Sequence, residues 1–233
     1  MKPYIICHMV TSLDGKVTGD FLADESIYQG IEYYYELNRK FNADAFLCGR
    51  VTMEGSFTFS YYPDLKKYQG ITVERCDFIA DNNAKLYAVA CDRYGRLGWK
   101  DSIIQDPDPG YGGSHIIEVL TEEVKDEYLA YLREKGVSYI FGGKRDLDIK
   151  LVLEKLYKEF GIKKLLLEGG SIINGAFMKE KVIDEISLVV VPITATTNDK
   201  PLFFESNLCD FRLEKCEKVQ DNIVYLNYKK LED

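Results

Sequence analysis

The second half of the chain alternates short apolar runs with segments of helical periodicity. The runs have the length of a strand, and the segments between them place apolar residues on one helix face. Such alternation is typical of parallel strands, because a parallel crossover needs a connection about as long as a helix. We therefore predict strands at 116–121, 137–143, 163–170 and 185–192, with helices at 122–135, 147–160 and 171–180 between them.

The first half of the chain adds three strand-like runs, at 4–10, 43–49 and 85–91. A helix is predicted after the first of them, with Ser26 as its N-cap, because a serine hydroxyl accepts well from the N–H groups of a first turn. The apolar positions that place this helix on one face are Ile27, Ile31, Tyr34 and Phe41.

The C-terminal segment predicts a hairpin of two strands around Gln220, Asp221 and Asn222. Joined to the parallel strands, it adds an antiparallel edge to the sheet. The predicted fold class is therefore α/β, with a mostly parallel central sheet, helices on both faces and an antiparallel C-terminal hairpin. We expect one domain that spans residues 1–233.

The charge and hydropathy of the chain exclude several classes of partner. The formal net charge is −8, whereas general binding to nucleic acid or to an acidic membrane requires a basic surface. The apolar runs are too short for a transmembrane helix, and the first residues lack the small-residue cleavage site of a signal peptide. We expect a cytoplasmic protein without nucleic-acid or membrane partners.

The cysteines and histidines do not predict a metal site. The six cysteines form no C-x-x-C pair, and the chain has two histidines, so a zinc centre is not indicated. Thiols stay reduced in the cytoplasm. We therefore predict six free thiols and no bound metal.

Glycines and charged residues follow the predicted strands at their carboxyl ends. In open α/β sheets these ends form the ligand-binding edge. Because glycines and cations recur there although the chain is acidic, we predict a site for an anionic small molecule. The segments concerned are TSLDGK (11–16), GRVT (49–52), DRYGR (92–96), GGKR (142–145) and EGGS (168–171).

Gly169 and Gly170 separate a predicted core strand from a predicted helix. Without Cβ atoms they allow a ligand to approach the backbone, and they tolerate positive φ. A helix that begins at Ser171 would direct its free N–H groups and dipole toward a phosphate. The alternative is a simple strand-to-helix turn. The pair is not a G-x-G-x-x-G motif, so an ordinary Rossmann site is not implied.

Two further strand ends carry arginines. Arg50, between Gly49 and Thr52, can bind a phosphate through its two-pronged guanidinium, and Thr52 adds a hydroxyl; the alternative is a capped helix with a solvated arginine. After the strand at 85–91, a set of charged residues could bind a ribose or its phosphate, or could form only a charged surface turn. This set is Asp92, Arg93 and Arg96.

Two carboxylates are candidates for the substrate side. Asp14, beside Ser12 and Lys16, could accept from a substrate N–H or help to move a proton, although Asp-Gly is also a common turn dipeptide. Glu168 ends a buried strand, where a carboxylate needs a ligand or a protein partner; it could instead cap a neighbouring amide. His8 lies within the first strand, where a histidine is more often part of the core.

In this order, SLDGK, GRVT, DRYGRL and LLLEGGSIINGAFMKEKVIDEISLVVVP resemble motifs of the dihydrofolate-reductase-like superfamily. The greatest likeness is to the RibD C-terminal domain, the reductase domain of the riboflavin-pathway deaminase–reductase. It spans nearly the whole chain, and the strand-EGG-helix-VIDEI-strand-Pro segment is its most specific part. The resemblance implies a dihydrofolate-reductase-like three-layer αβα sandwich and a homodimer.

The resemblance also implies an activity. A hydride would pass from NADPH to C1 of the ribosyl group of a pyrimidine, as in 5-amino-6-(5-phosphoribosylamino)uracil reductase. In the family the GR-x-T and GG turns hold the dinucleotide, and the segment that matches DRYGR reads its adenosine end. The cofactor-binding residues predicted in this way are Gly49, Arg50, Thr52, Asp92, Arg93, Gly169, Gly170 and Ser171.

The substrate half departs from the family pattern. The family has a lysine where this chain has His8, and its Ser-x-Trp and Asp-x-Pro motifs are absent, so Glu54 is a candidate for the missing carboxylate. Asp14 and Glu168 are the predicted catalytic residues, and His8, Ser12, Lys16 and Glu54 are predicted to bind substrate. Alternatives are a dihydrofolate-reductase-like enzyme of another substrate, pterin-like compounds included, and a non-catalytic nucleotide-binding module.

Overall fold

The structure is a computed structural model that describes residues 1–220 and 222–231. Asp221, in the predicted hairpin turn, lies outside the described residues. The chain forms two compact units: unit one comprises residues 1–3 and 44–163, and unit two comprises residues 4–43 and 164–233. The single domain expected for residues 1–233 stays a prediction. Among the described residues, no helix combines the length and the apolar composition needed to cross a bilayer.

The predicted alternation of strands and helices is confirmed, with shifts at some of the ends. In chain order the elements are β1 (Tyr4–Thr11), α1 (Tyr28–Phe41), β2 (Ala45–Gly49), α2 (Arg50–Met53), β3 (Tyr87–Cys91), β4 (His115–Leu120), α3 (Asp126–Lys135), β5 (Ser138–Phe141), α4 (Ile149–Phe160), β6 (Lys164–Leu167), α5 (Ser171–Lys179), β7 (Glu185–Val190), β8 (Phe211–Val219) and β9 (Ile223–Lys230).

Unit one contains four parallel strands in the order β5-β4-β3-β2. Every residue of β3 and β4 is buried. This burial explains why both strands are nearly continuous apolar runs, since a covered parallel sheet presents apolar side chains on both faces. Helices α3 and α4 bury one face each, through side chains such as Leu132 and Leu156.

Unit two contains five strands in the order β6-β1-β7-β9-β8. Strands β6, β1 and β7 are parallel, whereas β9 pairs antiparallel with β7 and β8 antiparallel with β9. Helix α1 covers one face of this sheet, where Leu37 packs in a core with Val10, Val189, Ile223 and Tyr225. The predicted mostly parallel sheet with an antiparallel C-terminal hairpin is confirmed.

The predicted N-cap Ser26 is wrong. Ser26 lies within a short 3-10 turn, Glu25–Ile27, and α1 begins at Tyr28. The N-cap residue of α1 is Ile27, which supplies no side-chain cap. Asp24 caps the 3-10 turn instead, since its carboxylate accepts from the backbone N–H of Ser26 at 2.8 Å. Because this turn takes up Ser26, the serine cannot precede the first turn of α1 as its cap.

Helix α3 begins at Asp126 rather than at the predicted residue 122. The backbone of the preceding segment is bonded elsewhere: the N–H of Glu122 donates to the carbonyl of Gly143 at 3.0 Å, and that of Val124 to the carbonyl of Thr121 at 3.2 Å. The segment therefore forms a turn. The helix then begins with Asp126 and Glu127, whose charges suit a helix N-terminus.

Glu118 is a fully buried carboxyl group in the middle of β4. The indole N–H of Trp99 donates to its Oε1, but its Oε2 has no hydrogen-bond partner among the described residues. Burial, with the nearby charge of Asp92, raises the pKa of Glu118 well above its usual value. Glu118 therefore retains a proton in the folded state at a pH at which the unfolded chain has lost it.

This difference predicts a pH-dependent effect of Glu118→Gln. A carboxyl whose pKa is raised by folding contributes stability below its unfolded pKa, and this contribution is lost as the pH rises. Glutamine keeps the acceptor for Trp99 and cannot ionise. We expect the variant to gain in melting temperature relative to the parent as the pH increases from about 4.5 to about 8.

The exposed Glu159→Gln variant on α4 is the matched control, for which we expect no such trend. A melting-temperature difference for Glu118→Gln that is constant over this pH range would contradict the assignment of a neutral Glu118.

Candidate functional site

In unit two the turn after β6 contains the Gly169-Gly170 pair. Gly169 has φ +91°, and the Gly169–Gly170 peptide is cis. A Cβ atom on Gly169 would lie 3.1 Å from the Cε of Met9 in β1, so both the conformation and the neighbouring strand favour glycine here. Helix α5 then begins at Ser171, with Gly170 as its extended N-cap residue. This arrangement directs the N–H groups of the first turn of α5 toward the space beyond β6.

The hydroxyl of Ser171 is already bonded within the protein. It donates to the carbonyl of Pro201, and the side chain is buried. Three residues of this turn are predicted to bind cofactor. Because its hydroxyl is already bonded, Ser171 can contribute its backbone N–H at the start of α5. Gly169 and Gly170 can likewise contribute backbone groups.

Glu168 directly precedes this turn and is 7% exposed. Its Oε1 accepts from the amide Nδ2 of Asn38 at 2.7 Å. Asn38 lies in α1 and is 5% exposed. Helix α1 thus supplies a donor to the carboxylate, in a contact that was not predicted from the sequence.

Asp14 is exposed on the loop that leaves β1. Its Oδ1 accepts from the backbone N–H of Ala195 at 2.9 Å and from the hydroxyl of Ser12 at 2.7 Å. These bonds, that of Ala195 first, lower the pKa of Asp14. Asp14 is therefore ionised near neutral pH, which favours a role as hydrogen-bond or proton acceptor over that of proton donor.

Ser12 and Lys16 shape the same loop. The Ser12 hydroxyl oxygen also accepts from the backbone N–H of Lys16 at 2.9 Å, and the Lys16 ammonium donates to the carbonyl of Asp199 at 3.2 Å. Lys16 is half-buried. In the segment 11–16 it is the one positively charged residue beside the negatively charged Asp14. The structure thus brings Ser12, Asp14 and Lys16 together in one loop.

His8 is fully buried beneath α1. Its Nε2 lies 3.0 Å from the carbonyl oxygen of Tyr34 and its Nδ1 2.9 Å from Oγ of Ser187. Since a carbonyl only accepts, Nε2 carries the hydrogen, and Nδ1 accepts from Ser187. Burial lowers the pKa of His8 to about 4, so the ring is neutral. Its ring also stacks on that of Tyr34 at 4.2 Å. These contacts favour the core alternative for His8.

In unit one the segment after β2 combines a cation and an anion. Gly49 is the extended N-cap residue of α2, and Arg50 forms an ion pair with Glu54 one turn later. The hydroxyl of Tyr62 also donates to Glu54, and this bond, followed by the charge of Arg50, lowers the pKa of Glu54. Thr52 is half-buried in the same short helix. Glu54 is thus an ionised carboxylate fixed by two neighbours.

Asp92, after β3, shapes the turn that carries the other arginines. It is 1% exposed, and its Oδ2 accepts from the backbone N–H groups of Arg96 and of Leu97, the latter at 2.8 Å. Burial raises the pKa of Asp92 despite these bonds. The Arg93 guanidinium forms an ion pair with Asp146 at 2.7 Å. Asp92 is thus buried within the turn, and Arg93 is bound to Asp146 in a neighbouring loop.

Arg96 lies over the ring of Tyr94, with its guanidinium carbon 5.3 Å from the ring centre. Its charge contributes to the lowered pKa of Glu54, and the charge of Arg50 acts on Asp92. Unit one therefore brings Arg50, Glu54, Asp92 and Arg96 into one electrostatic cluster.

Comparison with known proteins identifies the family. A family model described as the RibD C-terminal domain matches residues 107–225. A 2,5-diamino-6-ribosylamino-4(3H)-pyrimidinone 5′-phosphate reductase of Archaeoglobus fulgidus is 30% identical over 227 residues, which cover 94% of this chain and 94% of that protein. This chain belongs to the RibD C-terminal domain family. A relative of the same name from Methanothermobacter thermautotrophicus is 27% identical over 200 residues, 85% of this chain and 82% of that protein.

Solved structures agree on the fold. A pyrimidine reductase-like protein of Corynebacterium diphtheriae superposes with a TM-score of 0.71 at 17% identity, over 99% of this chain and 93% of that chain. Dihydrofolate reductase of Enterococcus faecalis gives a TM-score of 0.51 at 10% identity over the full length of both chains. The family and the dihydrofolate-reductase-like fold predicted from the motifs are therefore confirmed, and the prediction of a reductase agrees with the names of the relatives.

Sequence reasoning missed two donors: Asn38, which bonds the predicted catalytic Glu168, and Tyr62, which bonds Glu54, predicted to bind substrate. A signal for Asn38 exists in the sequence. It lies four residues after Tyr34 and three before Phe41, on the predicted apolar face of α1, where a polar residue needs a buried partner. Tyr62 lies in a segment without periodicity, which offers no comparable signal.

Proposed function

We propose that the chain is an NADPH-dependent reductase of riboflavin biosynthesis, which transfers a hydride to the ribosyl C1 of a ribosylaminopyrimidine 5′-phosphate. The observation that carries the proposal is the buried carboxylate of Glu168, placed directly before the Gly169-Gly170 turn and the start of α5. Membership of the RibD C-terminal domain family supports it. Six free thiols suit a reducing compartment, and we propose a cytoplasmic enzyme.

The chemistry of Glu168 favours one substrate over another. An ionised carboxylate only accepts hydrogen bonds. The diamino-pyrimidinone named for the relatives carries a 2-amino group with two N–H donors, where the corresponding aminouracil carries an oxygen acceptor. We therefore propose 2,5-diamino-6-ribosylamino-4(3H)-pyrimidinone 5′-phosphate as the substrate. Asp14, in its ionised form, is the second proposed carboxylate of unit two, and Ser12 and Lys16 are proposed to bind substrate beside it. His8, which is buried with both ring nitrogens bonded, is not proposed to contact substrate, and Glu54 of unit one stays a prediction.

Each unit, taken by itself, carries donors that suit a phosphate of a dinucleotide. Unit one offers the guanidiniums of Arg50, Arg93 and Arg96, which suit a 2′-phosphate better than a hydroxyl. Unit two offers the N–H groups at the start of α5. When bound, NADPH supplies the hydride; the residues of the chain orient the reactants and hold charge as it moves. We propose that the turns around the donors of unit one are shaped by Gly49, Thr52 and Asp92. In unit two we propose the same role for Gly169, Gly170 and Ser171.

The direct test is the oxidation of NADPH by the purified protein with the diamino-pyrimidinone phosphate, compared with the aminouracil analogue and with dihydrofolate. We expect turnover with the first compound, and faster turnover with NADPH than with NADH. Binding of NADPH without oxidation in the presence of all three compounds would favour the nucleotide-binding module instead.

We expect Glu168→Gln to lower kcat/KM by about ten- to a hundredfold, since it loses an acceptor for substrate N–H groups. The affinity for NADPH in a fluorescence titration should stay close to that of the parent. Glu185→Gln is the matched control, because Glu185 is a buried glutamate of β7 whose Oε1 also accepts from an asparagine, Asn227, at 2.7 Å. Equal losses in both variants would place Glu168 outside the substrate site.

We also propose a homodimer, formed through the outer face of β8 and β9. On β9, Ile223 and Tyr225 are buried, whereas Val224 on the opposite face is 37% exposed. Leu213 of β8, which pairs with Tyr228 of β9, is 49% exposed. Leu226 continues this half-exposed apolar strip, opposite Cys216. A second copy of the chain would cover this strip and the edge strand β8 together.

Light scattering should therefore give twice the 26.8 kDa of the chain at micromolar concentration. Leu226→Lys should shift the protein to the monomer, because it places a charge in the strip. Leu208→Lys is the control, since Leu208 is 94% exposed outside the strip, and it should remain dimeric. A monomeric parent would contradict the proposal.

A further inference from the structure

Asn38 interrupts the apolar face of α1. Tyr34, Leu37 and Phe41 pack beside it against the sheet of unit two, and Asn38 itself is only 5% exposed. Burial of an amide without hydrogen-bond partners is unfavourable, and asparagine is a poor helix former. A residue that is polar at a buried position and also a poor helix former is expected where it serves a functional site.

The partner of this amide is a candidate catalytic group. Nδ2 of Asn38 donates to Oε1 of Glu168 at 2.7 Å, within the range of a hydrogen bond to a charged acceptor. Because Nδ2 donates, the Asn38 side chain presents its NH2 group to the carboxyl of Glu168. Because the amide plane is fixed in this way, it fixes the direction of the carboxylate that it holds.

The position of Asn38 is itself held by the sheet. One turn earlier in α1, the carbonyl of Tyr34 accepts from Nε2 of His8 at 3.0 Å, and the two rings stack at 4.2 Å. Nδ1 of the same histidine accepts from Ser187 in β7 at 2.9 Å. Strands β1 and β7 therefore fix the depth of this turn of α1, and they do so through a neutral group that does not titrate near neutral pH.

A donor to a carboxylate has two effects on it. It restricts the side chain to one orientation, and it stabilises the charged form relative to the protonated form. Both effects matter for a group that must accept hydrogen bonds from a substrate, because a protonated or rotated carboxyl presents a donor, or nothing, where an acceptor is needed.

We infer that Asn38 is a positioning residue, which sets the orientation and the proton affinity of Glu168 for substrate binding. The inference rests on the proposed function in one respect, namely that Glu168 touches the substrate. The contact itself is independent of that function.

The variants Asn38→Ala and Asn38→Asp test the inference. Alanine removes the donor, so the acidic limb of the pH profile of kcat/KM should move to higher pH by about one to two units, the equivalent of one lost hydrogen bond to a charged group. Aspartate has the same shape and places a second carboxyl at hydrogen-bond distance. Since two such groups share one proton, we expect a larger shift in the same direction.

Asn227→Ala and Asn227→Asp are the matched controls. Asn227 is 8% exposed and donates to Glu185 at the same 2.7 Å, so these variants reproduce the loss of a buried asparagine–glutamate bond elsewhere in unit two. They should lower the melting temperature without moving the pH profile. A profile that moves equally in both sets would overturn the inference, because it would report a general loss of stability.

A second readout does not need a substrate. In protein labelled with ¹³C at the glutamate carboxyl carbons, the resonance that disappears in Glu168→Gln belongs to Glu168, and its titration can be followed in each folded variant. We expect the midpoint to rise in Asn38→Ala, to rise further in Asn38→Asp, and to stay at the parent value in the Asn227 variants. An unchanged midpoint in folded Asn38→Ala overturns the inference, whereas an inactive parent enzyme would count against the proposed function only.

Discussion

A carboxylate at the end of a buried strand must find hydrogen-bond donors, and much of unit two is arranged around that requirement. Glu168 directly follows β6 and is almost fully buried, and α1 supplies it with a donor. Helix α1 is in turn held at its depth by His8, whose two ring nitrogens bond to α1 and to β7. The carboxylate, the helix and two strands thus form one connected polar network inside an apolar core. Such a network is stable because each of these contacts satisfies a buried group.

Unit one uses buried carboxylates differently. Asp92 accepts two backbone N–H groups and so shapes the turn after β3, while burial within β4 raises the pKa of Glu118. Neither needs a ligand to explain its position. The cations of this unit are the groups suited to phosphate, and of these Arg93 also joins its turn to Asp146. The residue type at the end of a strand therefore does not decide its role; the partners that the fold supplies decide it.

The sequence predicted the order of strands and helices well, because apolar periodicity and glycine positions are local signals. It also predicted the family, through the EGG turn and the segments on either side of it. It did not predict the 3-10 turn Glu25–Ile27 that precedes α1 and displaces the predicted cap. Nor did it predict the contact of Asn38 with Glu168, which are 130 residues apart in the chain, or the partners of His8 in α1 and β7. These contacts depend on strand order and helix depth, which no local pattern contains.

The central claim is that this chain moves a hydride from a nicotinamide to the ribosyl carbon of a pyrimidine. The most direct measurement uses NADPH with deuterium at the transferred position of nicotinamide C4, together with the diamino-pyrimidinone phosphate, and examines the product by mass spectrometry and NMR. The account predicts a ribityl product that carries a single deuterium at C1. NADPH that remains unoxidised while bound, or a product whose C1 holds no deuterium, would contradict it.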